Sequence, residues 1–232
     1  MQRRYRWILV TGLLLVGLSG CGAATAGPPP TIILSTPAPP TPSASAALTT
    51  TAGTLPNAGA HVGQTTAPVT MTVYTDVDCP DCVKFALDIL VPLMDTSVRD
   101  GTLRMELHPV AALGQFSESA VQALVCAQDQ DLMWPYYEIL AGMQATQTLT
   151  DDMFYQAAAG TGLDTDTFVL CYSRGIHHNK AHDLTNQAMM RGIPEIPALV
   201  MNGTILTRSA YLEDGLPSAA RLQALIDAAK GN

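Results

Sequence analysis

The stretch Val69–Cys82 reads VTMTVYTDVDCPDC and places two cysteines directly after a short β-rich segment. Its first six residues are mostly β-branched, aromatic or otherwise apolar, which predicts a strand. Residues 83–98 carry apolar side chains at helical spacing, so a helix with a kink at Pro92 is expected there. Cys79 then falls near the helix N-cap and Pro80 near the first helical position, where proline is readily accommodated.

A C-x-x-C pair has three common explanations: half of a zinc site, a local structural disulfide, or a redox couple. Zinc would need two further ligands, and the other cysteines and histidines lie far away in sequence. A helix start favours the redox explanation, because its unpaired N–H groups and positive dipole end stabilise a thiolate at Cys79. We therefore predict that Cys79 attacks, that Cys82 resolves the mixed disulfide, and that no metal or cofactor takes part.

Three aspartates, Asp76, Asp78 and Asp81, surround the same turn. Their negative charges should raise the pKa of Cys79 and offset part of the helix-dipole effect. A less stabilised thiolate goes with a disulfide that oxidises less strongly. Asp81 also has a simpler interpretation, as a carboxylate that caps the positive end of the helix, and the two interpretations are compatible.

Beyond the motif, strand and helix signals follow one another along the chain. The predicted elements are, in order, a strand at 103–108, helices at 117–159, 164–174 and 182–191, a strand at 198–201, a hairpin turn at Asn202-Gly203, and a last helix opened by Pro217. A strand–helix–strand order followed by a hairpin predicts the α/β class. The helices of about 114–190 are expected to form an inserted subdomain.

Residues 1–20 have the pattern of an export signal, because three arginines precede a short apolar run that ends in small residues. The run 7–18 is too short to span a bilayer core, which takes about 20 residues. Leu18–Cys21 reads LSGC and resembles a lipobox, which predicts cleavage before Cys21 and lipidation of that cysteine. The alternative is an ordinary signal with a cysteine at its end. A lipidated Cys21 leaves four of the five cysteines, an even number suited to disulfides outside the cytoplasm.

Residues 21–66 are rich in Ala, Thr, Pro, Ser and Gly and carry no charged residue, which predicts a disordered tether. Residues 67–232 have the length of a single domain. Removing the three arginines of the predicted signal from the twelve basic residues leaves nine against twenty acidic ones, a formal charge of −11. Such an acidic domain is not expected to bind nucleic acid or anionic lipid.

Three stretches together resemble the DsbA-like branch of the thioredoxin superfamily. The first is Ala67–Asp76 followed by the Cys79–Cys82 motif, and the second is Gly192–Gly203, which reads GIPEIPALVMNG. The third is Cys126–Gln130, with Trp134 shortly after it. The resemblance covers nearly all of residues 67–232 and implies a thioredoxin fold, a mixed sheet flanked by helices with an inserted helical subdomain.

The resemblance also implies roles for residues outside the motif. Pro197 is expected to be cis and to pack beside the active-site disulfide, and the backbone of Ile196 to pair with an extended segment of the substrate. Cys126 and Cys171 are expected to form a structural disulfide, the alternative being two buried free thiols. Asp81 stands where strong oxidases of this family often carry His or an aromatic residue, and no family-typical cation lies near the motif in sequence.

These observations predict a thiol–disulfide oxidoreductase that exchanges disulfides with exported proteins. Its lipid anchor is expected at the outer face of the cytoplasmic membrane, or at a periplasmic membrane face. We expect an oxidase rather than a reductase, a monomer, and a quinone-linked membrane redox partner, the last from the resemblance alone. The alternative function is a tethered binding or chaperone module without turnover. His177 and His178 are interpreted as solvated side chains between two helices, not as metal ligands.

Overall fold

The computed structural model describes residues 48–214 and 216–231. The predicted signal, Cys21 and residues 21–47 of the predicted tether lie outside these ranges. Among the residues described, no helix combines the length and the apolar character that crossing a membrane requires.

A mixed sheet of six strands lies at the centre of the domain, beside a separate two-stranded sheet. The strands are β1 (Asn57–Ala58), β2 (His61–Val62), β3 (Val69–Thr75), β4 (Leu103–Pro109), β5 (Ala198–Met201) and β6 (Thr204–Ile205), and the separate pair is β7 (Leu212–Glu213) and β8 (Leu216–Pro217). The order in the large sheet is β1-β2-β4-β3-β5-β6. Strands β3 and β4 run parallel, and the other neighbouring strands are antiparallel.

Helical structure flanks this sheet. The helices are α1 (Pro80–Phe85), α2 (Val91–Leu93), α3 (Ser117–Gln128), α4 (Met133–Gln144), α5 (Asp151–Thr161), α6 (Thr165–Ser173), α7 (His178–Met190) and α8 (Ala219–Ala229). Helices α1 and α2 belong to one helical segment, because π-helical turns at Ala86–Leu90 and Met94–Val98 continue it. The α/β prediction is confirmed, with α3–α7 forming the helical insertion between β4 and β5.

Strand β3 separates two apolar clusters because its successive side chains point to opposite faces of the sheet. Val73 is fully buried in the main core, together with Leu199 of β5. Tyr74 belongs to a smaller cluster on the other face with Ala188 of α7 and Val200 of β5. The carboxyl end of β3 is therefore packed on both sides, which fixes the turn that follows it.

The inserted helices have an aromatic core and a covalent link. Trp134, Tyr136, Phe154 and Phe168 are each completely buried. A disulfide joins Cys126 of α3 to Cys171 of α6. The sequence pattern predicts a long helical region over 117–159, and the structure divides this region into α3, α4 and α5.

The prediction of disorder over 21–66 is wrong for residues 48–66. A 3₁₀-helix at Ala52–Thr54 receives support from Glu138, whose carboxylate accepts hydrogen bonds from the backbone N–H groups of Thr51 and Ala52 at 2.9 Å. Strand β2 pairs with β4, and the indole of Trp134 donates to the carbonyl of Ala60. The composition does not predict this order because the partners come from residues more than 40 positions away.

Pro217 does not open the last helix as predicted. It lies in β8, opposite Leu212. The N-cap is Ser218, whose hydroxyl accepts a hydrogen bond from the backbone N–H of Arg221, so the serine decides where α8 begins.

Candidate active site

The turn between β3 and α1 presents the two cysteines. Cys79 is the N-cap of α1, with an extended backbone, and Pro80 occupies the first turn. The sulfur of Cys79 accepts a hydrogen bond from the backbone N–H of Cys82 at 3.2 Å. Cys79 is 3% exposed and Cys82 is 1% exposed, so Cys79 is the slightly more accessible of the two. This arrangement places an orphan N–H group of the helix on the sulfur that was predicted to attack.

The two thiols have opposite electrostatic surroundings. Hydrogen bonds from the side chain and backbone of Cys82 lower the pKa of Cys79 to about 7, although burial and the charges of Asp76 and Asp81 act against them. The pKa of Cys82 is raised, chiefly because its thiol donates to Cys79 and because it is buried. Cys79 therefore carries the thiolate and Cys82 carries the proton, which suits a nucleophile and a resolving group.

Asp76 has a structural task besides its charge. Its buried carboxylate accepts hydrogen bonds from the backbone N–H groups of Ala112 and Leu113 and from the hydroxyl of Ser117, at 2.7 to 3.0 Å. It also accepts from the N–H of Asp78 in its own turn. Asp76 thus ties the cysteine turn to the loop before α3, a role that the sequence analysis missed because those donors lie 36 to 41 residues away.

Asp78 makes a second link to the same loop. Its carboxylate accepts from the backbone N–H of Phe116 at 2.8 Å. Gly114 lies against this carboxylate so closely that a Cβ at position 114 would come within 1.7 Å of Asp78 Oδ2. Glycine is therefore required here by close approach, not by backbone conformation.

Asp81 lies in the first turn of α1 and is exposed. Its charge raises the pKa of Cys79, in the direction that the sequence predicts. The one lysine of α1, Lys84, forms an ion pair with Asp88 on the next turn. The thiolate of Cys79 is therefore held by hydrogen bonds and opposed by two carboxylates.

The Ile196–Pro197 bond is cis. Strand β5 begins at the next residue, and Ala198 is the register partner of Tyr74 in β3. Pro197 is thereby brought opposite the end of β3, where the chain turns towards Cys79. Pro197 is buried and Ile196 is partly exposed, so the backbone before the proline borders the surface.

An apolar groove of about 350 Å³ runs from the residues before Pro197 towards α7 and the loop after β4. Its lining includes Val110, Leu113, Ala188, Met189, Ile193 and Ile196. The sequence analysis did not identify this groove, which Met189 of α7 lines. Met189 and Met190 are 63% and 80% exposed, which is unusual for apolar side chains.

The fold and this site together define a class of protein. A thioredoxin fold, a helical insertion between β4 and β5 and a C-x-x-C turn at a helix start occur together here, which is the combination that the sequence resemblance implies. A family profile described as thioredoxin matches residues 56–228, and the chain belongs to that family.

Solved structures show the same fold at low sequence identity. Oxidised BdbD from Bacillus subtilis has a TM-score of 0.65 and 17% identity, over 77% of this chain and 99% of that one. A thioredoxin-like oxidoreductase from Silicibacter pomeroyi DSS-3 has a TM-score of 0.60 and 21% identity, over 78% and 97%. DsbA from Chlamydia trachomatis has a TM-score of 0.61 and 16% identity, over 74% and 91%. A search of curated proteins finds no match.

Proposed function

We propose that this protein exchanges disulfides with exported proteins outside the cytoplasm, through Cys79 and Cys82. The observation that supports the proposal is that the pKa values of the two thiols are shifted in opposite directions. Hydrogen bonds lower the pKa of Cys79 to about 7, while the pKa of Cys82 is raised. A sulfur that is a thiolate near neutral pH is both a good nucleophile and a good leaving group in disulfide exchange.

In the oxidising direction, a substrate thiolate attacks Cys79 Sγ of the closed Cys79–Cys82 disulfide. The bond between the two cysteines breaks, and Cys82 leaves and takes up a proton, as its raised pKa favours. A second substrate thiolate then attacks the substrate sulfur of the mixed disulfide. The substrate gains a disulfide, Cys79 departs as a thiolate, and two electrons have passed to the protein.

The lowered pKa of Cys79 favours the reduced form of the couple and therefore supports an oxidase over a reductase. Asp76 and Asp81 oppose that effect, so we propose a milder oxidant than a protein whose thiolate lacks such neighbours. Return to the oxidised state would fall to a quinone-linked membrane partner. The predicted export signal and Cys21 support lipid anchorage at the outer face of the cytoplasmic membrane, or at a periplasmic membrane face. We propose that the protein acts as a monomer.

Substrate binding has two candidate parts. The backbone at Ile196 borders the surface next to β5 and suits pairing with an extended chain, which tolerates many sequences. The apolar groove between the 193–196 loop and α7 would take apolar side chains of that chain. The same groove favours the second candidate function, a binding or chaperone module without turnover.

Trapping experiments separate the two functions. In a Cys82→Ala variant the mixed disulfide on Cys79 cannot be resolved, so an oxidoreductase should accumulate bonds to exported proteins that vanish on reduction. A Cys79→Ala, Cys82→Ala double variant is the matched control and should trap nothing. If the folded Cys82→Ala variant also traps nothing, the exchange function is wrong and the binding function stands.

The direction of exchange follows from the reduction potential of the Cys79–Cys82 couple. A strong oxidant has a reduction potential of about −120 mV, and a reductant has one of about −270 mV. We expect a value between these limits, nearer the oxidising one. A potential at or below the reductant value would contradict the oxidase assignment.

A further inference from the structure

Three side chains with metal-binding atoms converge where α3 and α7 meet, in the helical insertion. Glu118 lies in the first turn of α3, and His178 and His182 lie one turn apart on α7. One ligand atom from each lies within 4.8 Å of the other two. We propose that Glu118, His178 and His182 form a binding site for a divalent transition-metal ion of the zinc type.

The distances fit such an ion after small side-chain adjustments. Glu118 Oε1 lies 2.7 Å from His178 Nδ1 and 3.7 Å from His182 Nε2. A tetrahedral zinc ion holds nitrogen and oxygen ligands at about 2.0–2.2 Å, so its ligand atoms stand about 3.3–3.6 Å apart. The observed separations lie on either side of that value, and the side chains are exposed enough to turn.

The spacing of the two histidines has a physical reason. Residues four apart in a helix share one face, which is how paired histidines on a helix hold zinc in many enzymes. The two imidazole rings lie 5.2 Å apart and almost perpendicular, so both can aim a nitrogen at a common point. A carboxylate from a second helix completes three protein ligands, and solvent reaches the remaining position.

The helices that carry the ligands are firmly placed. Ala181, between the two histidines, is completely buried, and Leu184 accepts a hydrogen bond at its carbonyl from His108 Nε2 in β4. On α3, the side chains that follow Glu118 are buried from Ala120 onward, apart from Gln122 and Gln128. The Cys126–Cys171 disulfide also connects α3 to α6, which precedes α7. Ligands on fixed helices need little ordering when a metal binds.

The charges of the site also favour a cation. In the part of the chain that the structure describes, the ion-pair partners of Glu118 are these two histidines, and no lysine or arginine neutralises it. The side chains of Glu118, His178 and His182 are 40%, 56% and 61% exposed, which leaves an open path from solvent. His178 Nδ1 and Glu118 Oε1 face each other at 2.7 Å, and the ion would bind both atoms.

His177 offers a matched control on the same surface. It pairs with Asp129 at 2.6 Å and faces the sulfurs of Cys126 and Cys171. Those sulfurs are joined in a disulfide and cannot bind metal as thiolates. Removing His177 therefore removes a neighbouring imidazole without touching the proposed ligands.

The test is a titration of the purified full chain, free of any histidine tag, with Zn²⁺ against a chromophoric chelator. The protein is first oxidised to close Cys79 and Cys82, and any remaining thiol is blocked with iodoacetamide. We expect one tightly bound equivalent. Glu118→Gln, His178→Ala and His182→Ala should each weaken binding at least about tenfold, while His177→Ala should leave it unchanged.

Two results would overturn the proposal: no stoichiometric binding, or equal affinity in the unmutated protein and a His178→Ala, His182→Ala double variant. A second measurement uses the unmutated protein, so that misfolding of a variant cannot affect the result. Saturating Zn²⁺ should protect His178 and His182, but not His177, from acylation by diethylpyrocarbonate, as read by mass spectrometry. Equal acylation of all three histidines with and without Zn²⁺ would also reject the site.

Discussion

The backbone N–H of Cys82 donates a hydrogen bond to Cys79 Sγ at 3.2 Å, across the first turn of α1. The same residue contributes the thiol donor that lowers the pKa of Cys79 most. Cys82 thus stabilises the Cys79 thiolate, and it is also the group that attacks Cys79 Sγ in a mixed disulfide and releases the substrate thiolate. One short turn of helix carries the nucleophile, its stabilising donors and its resolving group.

The reactivity of Cys79 should follow a pKa of about 7. In the reduced protein, the rate of iodoacetamide alkylation at Cys79 should rise with pH and reach half its plateau near pH 7, because the thiolate reacts. Cys82 should remain unmodified over that range, since its pKa is raised. Cys82→Ala removes the thiol donor and should shift the profile towards the ordinary value of 9.0. Identical profiles for both proteins would contradict the assigned cause.

Replacing Asp81 by asparagine should make the couple more oxidising. The exposed carboxylate raises the pKa of Cys79, so its removal should lower that pKa. The reduction potential should rise by up to about 30 mV per pKa unit. Asp95→Asn, on the same helical segment but paired with Arg99, is the control and should leave the potential unchanged. A potential that falls in Asp81→Asn would refute this account.

Asp76→Asn should destabilise the fold as well as change the active site. The three donors from the loop before α3 share Oδ2, and the N–H of Asp78 donates to Oδ1. An amide keeps only one oxygen, so either the Asp78 N–H or the three loop donors would face an NH₂ group and lose their acceptor. We expect a loss of about 2–4 kcal/mol in the free energy of unfolding, measured with urea. Ser117→Ala removes one donor and leaves the carboxylate with its backbone partners, so its cost should be about 1 kcal/mol. Equal losses in both variants would mean that the carboxylate is not the organising group.

The disulfide between Cys126 and Cys171 should matter for stability and not for exchange. It closes a loop of 45 residues, which in the chain-entropy model stabilises the fold by about 4 kcal/mol. The Cys126→Ala, Cys171→Ala double variant should therefore unfold at lower urea concentration. Its Cys79–Cys82 potential should match that of the unmutated protein, and a large change in that potential would argue against a purely structural disulfide.

What could be predicted from the sequence was mostly local in the chain. The strand β3, the helix start at Cys79 and the placement of Pro80 depend on neighbours within a few residues, and all three are present. Pro217 was misread because two local signals competed, and the serine after it supplies the cap.

Long-range partners could not be predicted in this way. The carboxylate of Glu138 that orders Thr51, and the donors that surround Asp76, come from distant parts of the chain and leave no periodic pattern. The contact of Glu118 with His178 and His182 could not be predicted for the same reason. At least 60 residues separate Glu118 in α3 from the two histidines in α7, and only the packing of the helices brings them together. Local patterns reveal elements and motifs, whereas such contacts need the fold.

His108 should make the fold less stable in mild acid. His108 is 8% exposed, and its Nε2 donates to the carbonyl of Leu184 at 2.9 Å. Burial is the main cause that lowers its pKa below the ordinary 6.5, with smaller contributions from Lys180 and Arg191, while the Leu184 bond and Glu106 act in the opposite direction.

The sign of the effect follows from proton uptake. As the pH falls below 6.5, the unfolded chain protonates this imidazole while the folded protein resists, so stability declines until the pH reaches the lowered pKa. When the free energy of unfolding is measured from pH 8 down to pH 5, this group should lower it by up to about 1.4 kcal/mol per pH unit below pH 6.5. His108→Gln can keep a donor for Leu184 but cannot titrate, so it should be less stable at pH 8 and show a shallower slope below pH 6.5. Parallel curves for the two proteins would show that His108 is not the group responsible.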